Sequence, residues 1–299
     1  MSRSATFRRF VLVVSVSVVV LWDNLAATLG LALTNDAYTH IILILPVAAA
    51  LVVMNKLLRD AQPVPSIRGG LPLLVLAAMV ACYSKGLGRL HIGIDESLAL
   101  SMFAFVVWWI GAFVLCFGTR LARMNAFPLC FLFWLVPIPT VALNWIVKIL
   151  QQGSAAAAHG IFAIVGIPVT QDGLILSIPG LSIQVAAECS SIRSSLLLAV
   201  TTLVLCHLLL RSFWGKALIA LAILPLAILK NGVRIFTLSI LGAYVNPDIL
   251  NSPLHHQGGI VFFLASLIAV FALLWVVGQI ERKTWPRTCR GALVSPSPP

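Results

Sequence analysis

Cys189 is the residue whose type and neighbours best suit covalent chemistry. It comes just before the apolar run 192–210, and Arg193 follows four residues later, so the two side chains share one face if this stretch is helical. The positive end of a helix and a nearby guanidinium both favour the thiolate, while Glu188 opposes them from a position off that face. The spacing therefore predicts a reactive thiolate. The alternative is a small packed cysteine, as in most membrane proteins.

Two later segments return to the depth of Cys189. If the run 214–234 is helical, a rise of about 1.5 Å per residue carries Arg234 roughly 30 Å, to the outer membrane boundary. The last apolar run is preceded by His255 and His256. Charges at this depth are costly and usually functional, although a terminal arginine also anchors helices at the headgroups and loop histidines are often simply hydrated. We expect Cys189, Arg193, Arg234 and His255 to meet at one level.

The composition indicates the class of protein. Hydrophobic residues make up 60% and charged residues 10% of the chain, and the mean hydropathy is +1.04, whereas a soluble globular protein is about half apolar and about a quarter charged. The chain is predicted to be an integral membrane protein. Its net charge of +11 does not indicate nucleic acid, because Lys and Arg are scattered in small groups between apolar runs. The six cysteines show no metal or disulfide spacing, and no cofactor is predicted.

The apolar runs predict about eight transmembrane helices. A further run, 154–167, is short and carries His159, so we interpret it as an interfacial or re-entrant helix. The first run is long enough to span and lacks a convincing small-residue cleavage site, so we expect a retained anchor. The predicted spans are 10–33, 40–57, 71–84, 98–117, 127–148, 190–210, 213–234 and 258–280.

The distribution of Lys and Arg between alternate loops predicts the orientation. With the N-terminus inside, 14 of the 20 basic residues fall in cytoplasmic segments and 6 in outer loops and outer span ends. Basic residues concentrate on the cytoplasmic side of membrane proteins. Both termini are therefore expected in the cytoplasm, and Cys189 on the extracytoplasmic face.

The segment before Cys189 changes from a helical to an alternating pattern. Runs at 168–171, 174–178 and 181–185 are separated by Asp172-Gly173, which suits a hairpin, and Pro179-Gly180, which suits a type II turn. We expect a three-stranded ribbon on the outer surface that leads the chain to Cys189. The fold class predicted is an all-α polytopic membrane protein with about eight transmembrane helices and a small extracytoplasmic β-ribbon.

Three motifs, taken in order, resemble the exosortase/archaeosortase family. They are Glu188-Cys-Ser-Ser-Ile-Arg193, Asn231-Gly-Val-Arg234 and His255-His-Gln-Gly-Gly259. Supporting similarity lies upstream in 127–139 and 38–40, and the resemblance covers roughly 38–278. One departure is Ser191, which stands where the family usually has glycine. We expect one integral membrane domain over 1–299, with an exosortase-like core at 34–280 and a basic, proline-rich cytoplasmic tail at 281–299.

The resemblance implies roles for individual residues. The family's nucleophile falls on Cys189, its arginine on Arg234 and its histidine on His255, which we prefer because Gly259 follows at the family's spacing. Such a set suits acyl transfer, because a thiolate attacks a carbonyl, an arginine stabilises the oxyanion and a histidine moves the proton. The supporting residues expected around them are Arg193, Glu188, His256 and Asn231.

The resemblance also implies an activity. It is that of a membrane-embedded cysteine protease/transpeptidase of the plasma membrane, which cleaves C-terminal sorting signals of the PEP-CTERM kind from secreted proteins. The partners implied are the lipid bilayer and the sorting-signal substrates, with exopolysaccharide machinery as a possible further partner, and no nucleic acid. The alternatives are a transporter and a non-catalytic scaffold for exopolysaccharide export. The almost uncharged membrane centre disfavours a transporter.

Other polar residues have simpler explanations. Tyr38 and His40 end the first outer loop and either face the site or lie at the membrane interface. His207 and Cys206 lie on an apolar run without a motif, as does His159, so we expect packing or local hydrogen bonds for them.

Overall fold

The protein is predominantly helical, with one small antiparallel sheet. A computed structural model describes residues 3–55, 62–89, 94–185, 192–244 and 259–284. The helices are α1 (Arg3–Val20), α2 (Trp22–Thr34), α3 (Ile41–Met54), α4 (Ile67–Arg89), α5 (Ile94–Phe117), α6 (Thr119–Met124), α7 (Ala126–Phe131), α8 (Thr140–Val165), α9 (Ile192–Leu209), α10 (Phe213–Tyr244) and α11 (Gly259–Thr284). Short 3₁₀ turns occupy Asp36–Tyr38 and Leu132–Leu135, and the strands are β1 (Thr170–Asp172), β2 (Ile175–Ile178) and β3 (Leu181–Gln184).

The fold class predicted from the sequence is confirmed. Within the described ranges, six helices are long and apolar enough to cross a membrane, and up to eight spans result if each of two bent helix pairs counts as one. One pair, α1 and α2, bends by 76°, and the other, formed by residues 126–135 and α8, bends by 95°. The chain is a multi-pass membrane protein.

The bends have identifiable causes in the sequence. The predicted span 10–33 is broken at Leu21, and the new helix begins at Trp22. Polar Asp23 and Asn24 lie in its first turn, where an acidic side chain is favourable. The second break contains Pro137 and Pro139, which donate no backbone hydrogen bond and disfavour helical geometry in the preceding residue. Each break divides an apolar run into two helices of different direction.

The predicted boundary between a span at 127–148 and an interfacial helix at 154–167 is wrong. Helix α8 runs without interruption from Thr140 to Val165. The polar Gln151-Gln152-Gly153 segment lies between the two predicted runs, but glutamine is a good helix former and Gly153 lies against Ile228, so the helix continues through it. Helix α10 also continues ten residues past the predicted end at Arg234.

Residues Met1–Ile146 form one compact unit. Helices α4 and α5 pack closely in it, because glycine lets the backbones approach: a Cβ at Gly70 would lie 2.6 Å from the Leu115 Cα atom. The hydroxyl oxygens of Ser84 and Ser101 lie 2.9 Å apart between the same helices. These contacts hold α4 and α5 together within the first unit.

Residues Val147–Pro299 form a second compact unit, which contains most of α8, the sheet and α9 to α11. Helices α9, α10 and α11 pack pairwise around a core that includes Leu198, Ile219 and Val270. At one end, the Glu281 carboxylate accepts hydrogen bonds from the backbone N–H groups of Arg211 (3.1 Å) and Ser212 (3.2 Å). That carboxylate therefore ties α11 to the turn between α9 and α10. The domain limits predicted from the sequence remain predictions.

The ribbon consists of three antiparallel strands in the order β1, β2, β3, as expected. Asp172 pairs with Ile175, so the first turn is Gly173-Leu174, one residue later than predicted. Ile178 pairs with Leu181 across Pro179-Gly180, as predicted. Positive φ angles of 58° at Gly173 and 83° at Gly180 explain why glycine stands in both turns.

Candidate active site

The buried face of α10 carries two cations and a side-chain amide. Lys230, Asn231 and Arg234 are 7%, 0% and 9% exposed. Positions 230 and 234 are four residues apart and therefore lie one turn apart on one face of the helix. Their apolar neighbours on that face include Ala227 and Leu238. Two cations that are buried on a membrane helix indicate a functional site.

Lys230 contacts the first turn of α9. Its ammonium nitrogen donates hydrogen bonds to the Ser194 hydroxyl at 2.5 Å and to the Ser195 hydroxyl at 3.4 Å. Both serines belong to the first turn of the helix that follows the Cys189 segment. The start of α9 is therefore held against α10 at the level of the buried cations.

Asn231 connects α10 to α8. Its side-chain amide nitrogen donates to the Ser154 hydroxyl at 3.0 Å, and both residues have no exposed surface. Next to this bond, a Cβ at Gly232 would lie 2.7 Å from the Ala157 Cβ atom, so glycine is what allows α8 and α10 to approach. The bond and the close packing fix the orientation of the α10 polar face.

The ribbon is attached to the same two helices. Leu176 and Val185 pack with Ala155 and Ala158 of α8 and with Ile235 of α10. The Gln151 side-chain amide donates to the Val185 carbonyl oxygen at 3.0 Å. Since Val185 is the last described residue before the Cys189 segment, the ribbon determines where that segment begins.

The helix lengths place the start of α11 at the height of Arg234. Helices α10 and α11 are antiparallel and meet at the contact of Ser212 with Glu281. The number of residues from Ser212 to Arg234 equals the number from Gly259 to Glu281. At about 1.5 Å per residue, Arg234 and Gly259 are therefore both roughly 33 Å from that contact. The His255 segment therefore joins α11 at the level of the α10 cations.

Four of the predicted site residues lie outside the described residues. They are Cys189, Glu188, His255 and His256. Their predicted roles remain predictions. The structure instead describes the helix ends to which their segments connect, α9 at Ile192 and α11 at Gly259, together with Arg234, Asn231 and Arg193.

Arg193 differs from its two neighbours in burial. Its side chain is exposed, whereas Ser195 is buried and Ser194 is half-buried, and both serines contact Lys230. Lys230 is therefore the α10 cation that contacts the start of α9. The sequence motifs had not identified it as a site residue. Its spacing of four residues from Arg234 was the signal in the sequence that could have identified it.

Tyr38 and His40 are buried in the first unit, at 6% and 3% exposure. The Tyr38 hydroxyl donates to the Ile138 carbonyl oxygen at 2.8 Å, and the His40 ring packs edge to face with Trp134 at 5.9 Å between ring centroids. In the second unit, Cys206 is 2% exposed and belongs to the helical core, which confirms the packing role expected for it.

These features describe a multi-pass α-helical membrane protein with a cluster of buried cations at one end of its second unit. A model of the family described as transmembrane exosortase matches residues 22–272, and the chain therefore belongs to the transmembrane exosortase family. This is a family of cysteine peptidases and transpeptidases. A comparison with curated proteins found no match, and neither did a comparison with solved structures.

Proposed function

We propose that this chain is a membrane-embedded cysteine peptidase/transpeptidase that cleaves C-terminal sorting signals of exported proteins on the extracytoplasmic face of the plasma membrane. Cys189 is the nucleophile, Arg234 the oxyanion ligand and His255 the acid and base. The observation that carries the proposal is the buried Arg234 on α10, at the height where the chain enters α9 from Cys189 and α11 from His255.

Chain connectivity supports this grouping. Cys189 is three residues before Ile192, and three extended residues span at most about 11 Å. His255 is four residues before Gly259, which gives a limit of roughly 14 Å. Both helix starts belong to the same compact unit as Arg234. These limits support the proposal, because each residue is tethered by a short segment to a helix start at the height of Arg234.

The proposed reaction proceeds through a thioester. The Cys189 thiolate adds to the carbonyl carbon of the scissile peptide bond, and Arg234 stabilises the oxyanion that forms. When the carbon–nitrogen bond breaks, protonated His255 gives its proton to the leaving amine, and the acyl group stays on Cys189. Neutral His255 then takes a proton from water or an acceptor amine, which attacks the thioester and releases the thiolate.

The substrate class follows from the location of the site. A sorting signal with a short motif, a hydrophobic segment and a basic tail can insert the hydrophobic segment in the bilayer and present its motif at the level of Arg234. The lipid bilayer and such exported proteins are therefore the proposed partners. An association with exopolysaccharide machinery belongs to the same proposal.

The test compares Cys189→Ala with Cys130→Ala, a matched loss of an exposed thiol in the first unit. An exported protein from the same genome that carries the motif, hydrophobic segment and basic tail is co-expressed, and its processing is followed by immunoblot. We expect Cys189→Ala to insert and fold normally but to leave the substrate uncleaved, while Cys130→Ala processes it normally. Intact mass of the wild-type protein should also reveal an acyl adduct on Cys189.

Processing by Cys189→Ala at a near wild-type rate would contradict the proposal. A transporter or a scaffold for exopolysaccharide export requires no covalent intermediate, so both alternatives predict normal export by Cys189→Ala and no adduct. The same experiment therefore separates the proposed function from both alternatives.

A further inference from the structure

Lys230 is a buried ammonium that the sequence motifs do not explain. It is 7% exposed, and among the residues that the structure describes it donates hydrogen bonds to two hydroxyl oxygens of α9, those of Ser194 and Ser195. Hydroxyl groups accept hydrogen bonds but carry no negative charge. These two contacts therefore leave the positive charge of the ammonium in place at the start of α9.

This arrangement is costly for a purely structural contact. Removing an ammonium from water carries a free-energy penalty of several kcal/mol, and well-packed apolar side chains often replace buried charges without loss of stability. Arg234 lies one turn away on the same helix face, so a second charge of the same sign increases the cost. A leucine or methionine at position 230 would join α9 to α10 more cheaply.

The position of the contact between Lys230 and α9 indicates a role for the ammonium charge. Ser194 and Ser195 lie in the first turn of α9, where the backbone N–H groups add a partial positive charge. When it is protonated, Lys230 adds the positive charge of its ammonium from α10 at this point. The segment that contains Cys189 joins the chain directly before this turn. An anion close to this turn would be stabilised by the helix start and by Lys230 together.

We propose that Lys230 is a positioning residue of the site, which holds the first turn of α9 through Ser194 and Ser195 and favours the thiolate of Cys189 by its charge. This inference rests on the proposed function, because it assigns Lys230 to the same nucleophile. It assigns the role of supporting cation to Lys230 in addition to Arg193, which is exposed at the same turn.

The test measures the rate at which iodoacetamide alkylates Cys189 as a function of pH. It uses the full chain in detergent, with Cys189 as the single cysteine. Lys230→Met removes the charge at similar length, Lys230→Arg retains charge and donors, and Lys216→Met removes a lysine from the same helix near its opposite end. Folding is checked by size-exclusion chromatography and thermal unfolding, and Lys230→Gln replaces Lys230→Met if that variant fails to fold.

We expect Lys230→Met to shift the alkylation profile upward by about one pH unit, which is about a tenfold lower rate near neutrality. Lys230→Arg should stay near wild type, and Lys216→Met should not shift the profile. In the processing assay, Lys230→Met should lower the rate of substrate cleavage by about the same factor as the alkylation rate. Lys230→Arg should restore the cleavage rate. If Lys230 had only a structural role, the folded Lys230→Met variant would show the same alkylation profile as the wild type.

Overlapping profiles for Lys230→Met and Lys216→Met would overturn the inference. This outcome is distinct from a failure of the proposed function, which is decided by Cys189→Ala alone. If Cys189→Ala is inactive while Lys230→Met behaves as wild type, Cys189 keeps its role and Lys230 loses its role. If Cys189→Ala processes substrate normally, the proposed function fails whatever the Lys230 profile shows.

Discussion

Arg234 shows how a single side chain can be both buried and charged in a membrane helix. It lies next to the Asn231 that bonds to α8, on a helix whose neighbours α8 and α9 both contact the same face. The Arg234 side chain is 9% exposed and so lies in the interior of the second unit, whereas an anchoring arginine extends to the headgroups. The burial therefore favours a role in the site over the anchoring role.

The first prediction concerns the planar shape of this guanidinium. Arg234→Lys keeps the charge but loses the fork of parallel donors, so processing should fall by about 10²–10³-fold, the scale for loss of one oxyanion donor. Arg211→Lys, at the opposite end of the α9–α10 pair, should process normally. The measurement is the rate of substrate cleavage at equal amounts of folded protein. A near wild-type rate in Arg234→Lys would remove Arg234 from the oxyanion role.

The residues of the site were predictable from the sequence to different degrees. Arg234 and Asn231 were identified through a motif, and both are buried on one helix face. Lys230 was part of the same motif region but was counted only as an outer basic residue. Its role depends on Ser194 and Ser195, which are far from it in sequence. The spacing of residues along the sequence does not reveal contacts between residues on different helices.

At the scale of helices, close packing of α8 on α10 is what orients the polar face. Gly232 and Gly153 each lie at this contact, where an added Cβ would come within 2.7 Å of Ala157 or Ile228. Small residues strengthen helix association in membranes because they bring the backbones together and increase dispersion contacts. The Asn231 to Ser154 hydrogen bond requires this short separation.

The second prediction tests this contact with one methyl group. Gly232→Ala places a Cβ against the backbone and side chain of α8, so it should destabilise the protein by about 1–3 kcal/mol, the cost of overpacking a tight core. Gly160→Ala, on α8, meets open space and should be neutral or slightly stabilising because alanine favours helix. Thermal unfolding in detergent measures both. Equal melting temperatures for the two variants would contradict close packing at Gly232.

The multi-pass helical class and the three-stranded ribbon could be predicted, but not where the helices break. Hydropathy identified the apolar runs and the turn residues identified the ribbon, because both depend on local sequence. The uninterrupted course of α8 through Gln151 and Gly153 depends instead on partners, the Val185 carbonyl and Ile228. The break at Leu21 contains no proline or glycine, so the usual signals did not mark it.

At the scale of the whole chain, the second unit has two chemically different ends. Exposed or half-buried basic residues at one end surround the Glu281 contact, and the buried Lys230 and Arg234 lie toward the other. Phe213 and Trp214 at the first end are exposed, as aromatic residues at a membrane interface are. The positive-inside rule then predicts that the Glu281 end faces the cytoplasm. The basic residues at that end are Arg211, Lys216, Arg282 and Lys283.

The third prediction follows from this orientation. If the Glu281 end is cytoplasmic, α11 leads the C-terminal tail with Cys289 into the cytoplasm, and the chain that precedes α9 places Cys189 outside. In sealed cells, a membrane-impermeant maleimide should label a variant with only Cys189 and should spare one with only Cys289. After permeabilisation both should react, which shows that the tail thiol is accessible. Labelling of Cys289 in sealed cells would reverse the orientation, and a site that faces the cytoplasm cannot process exported proteins after translocation.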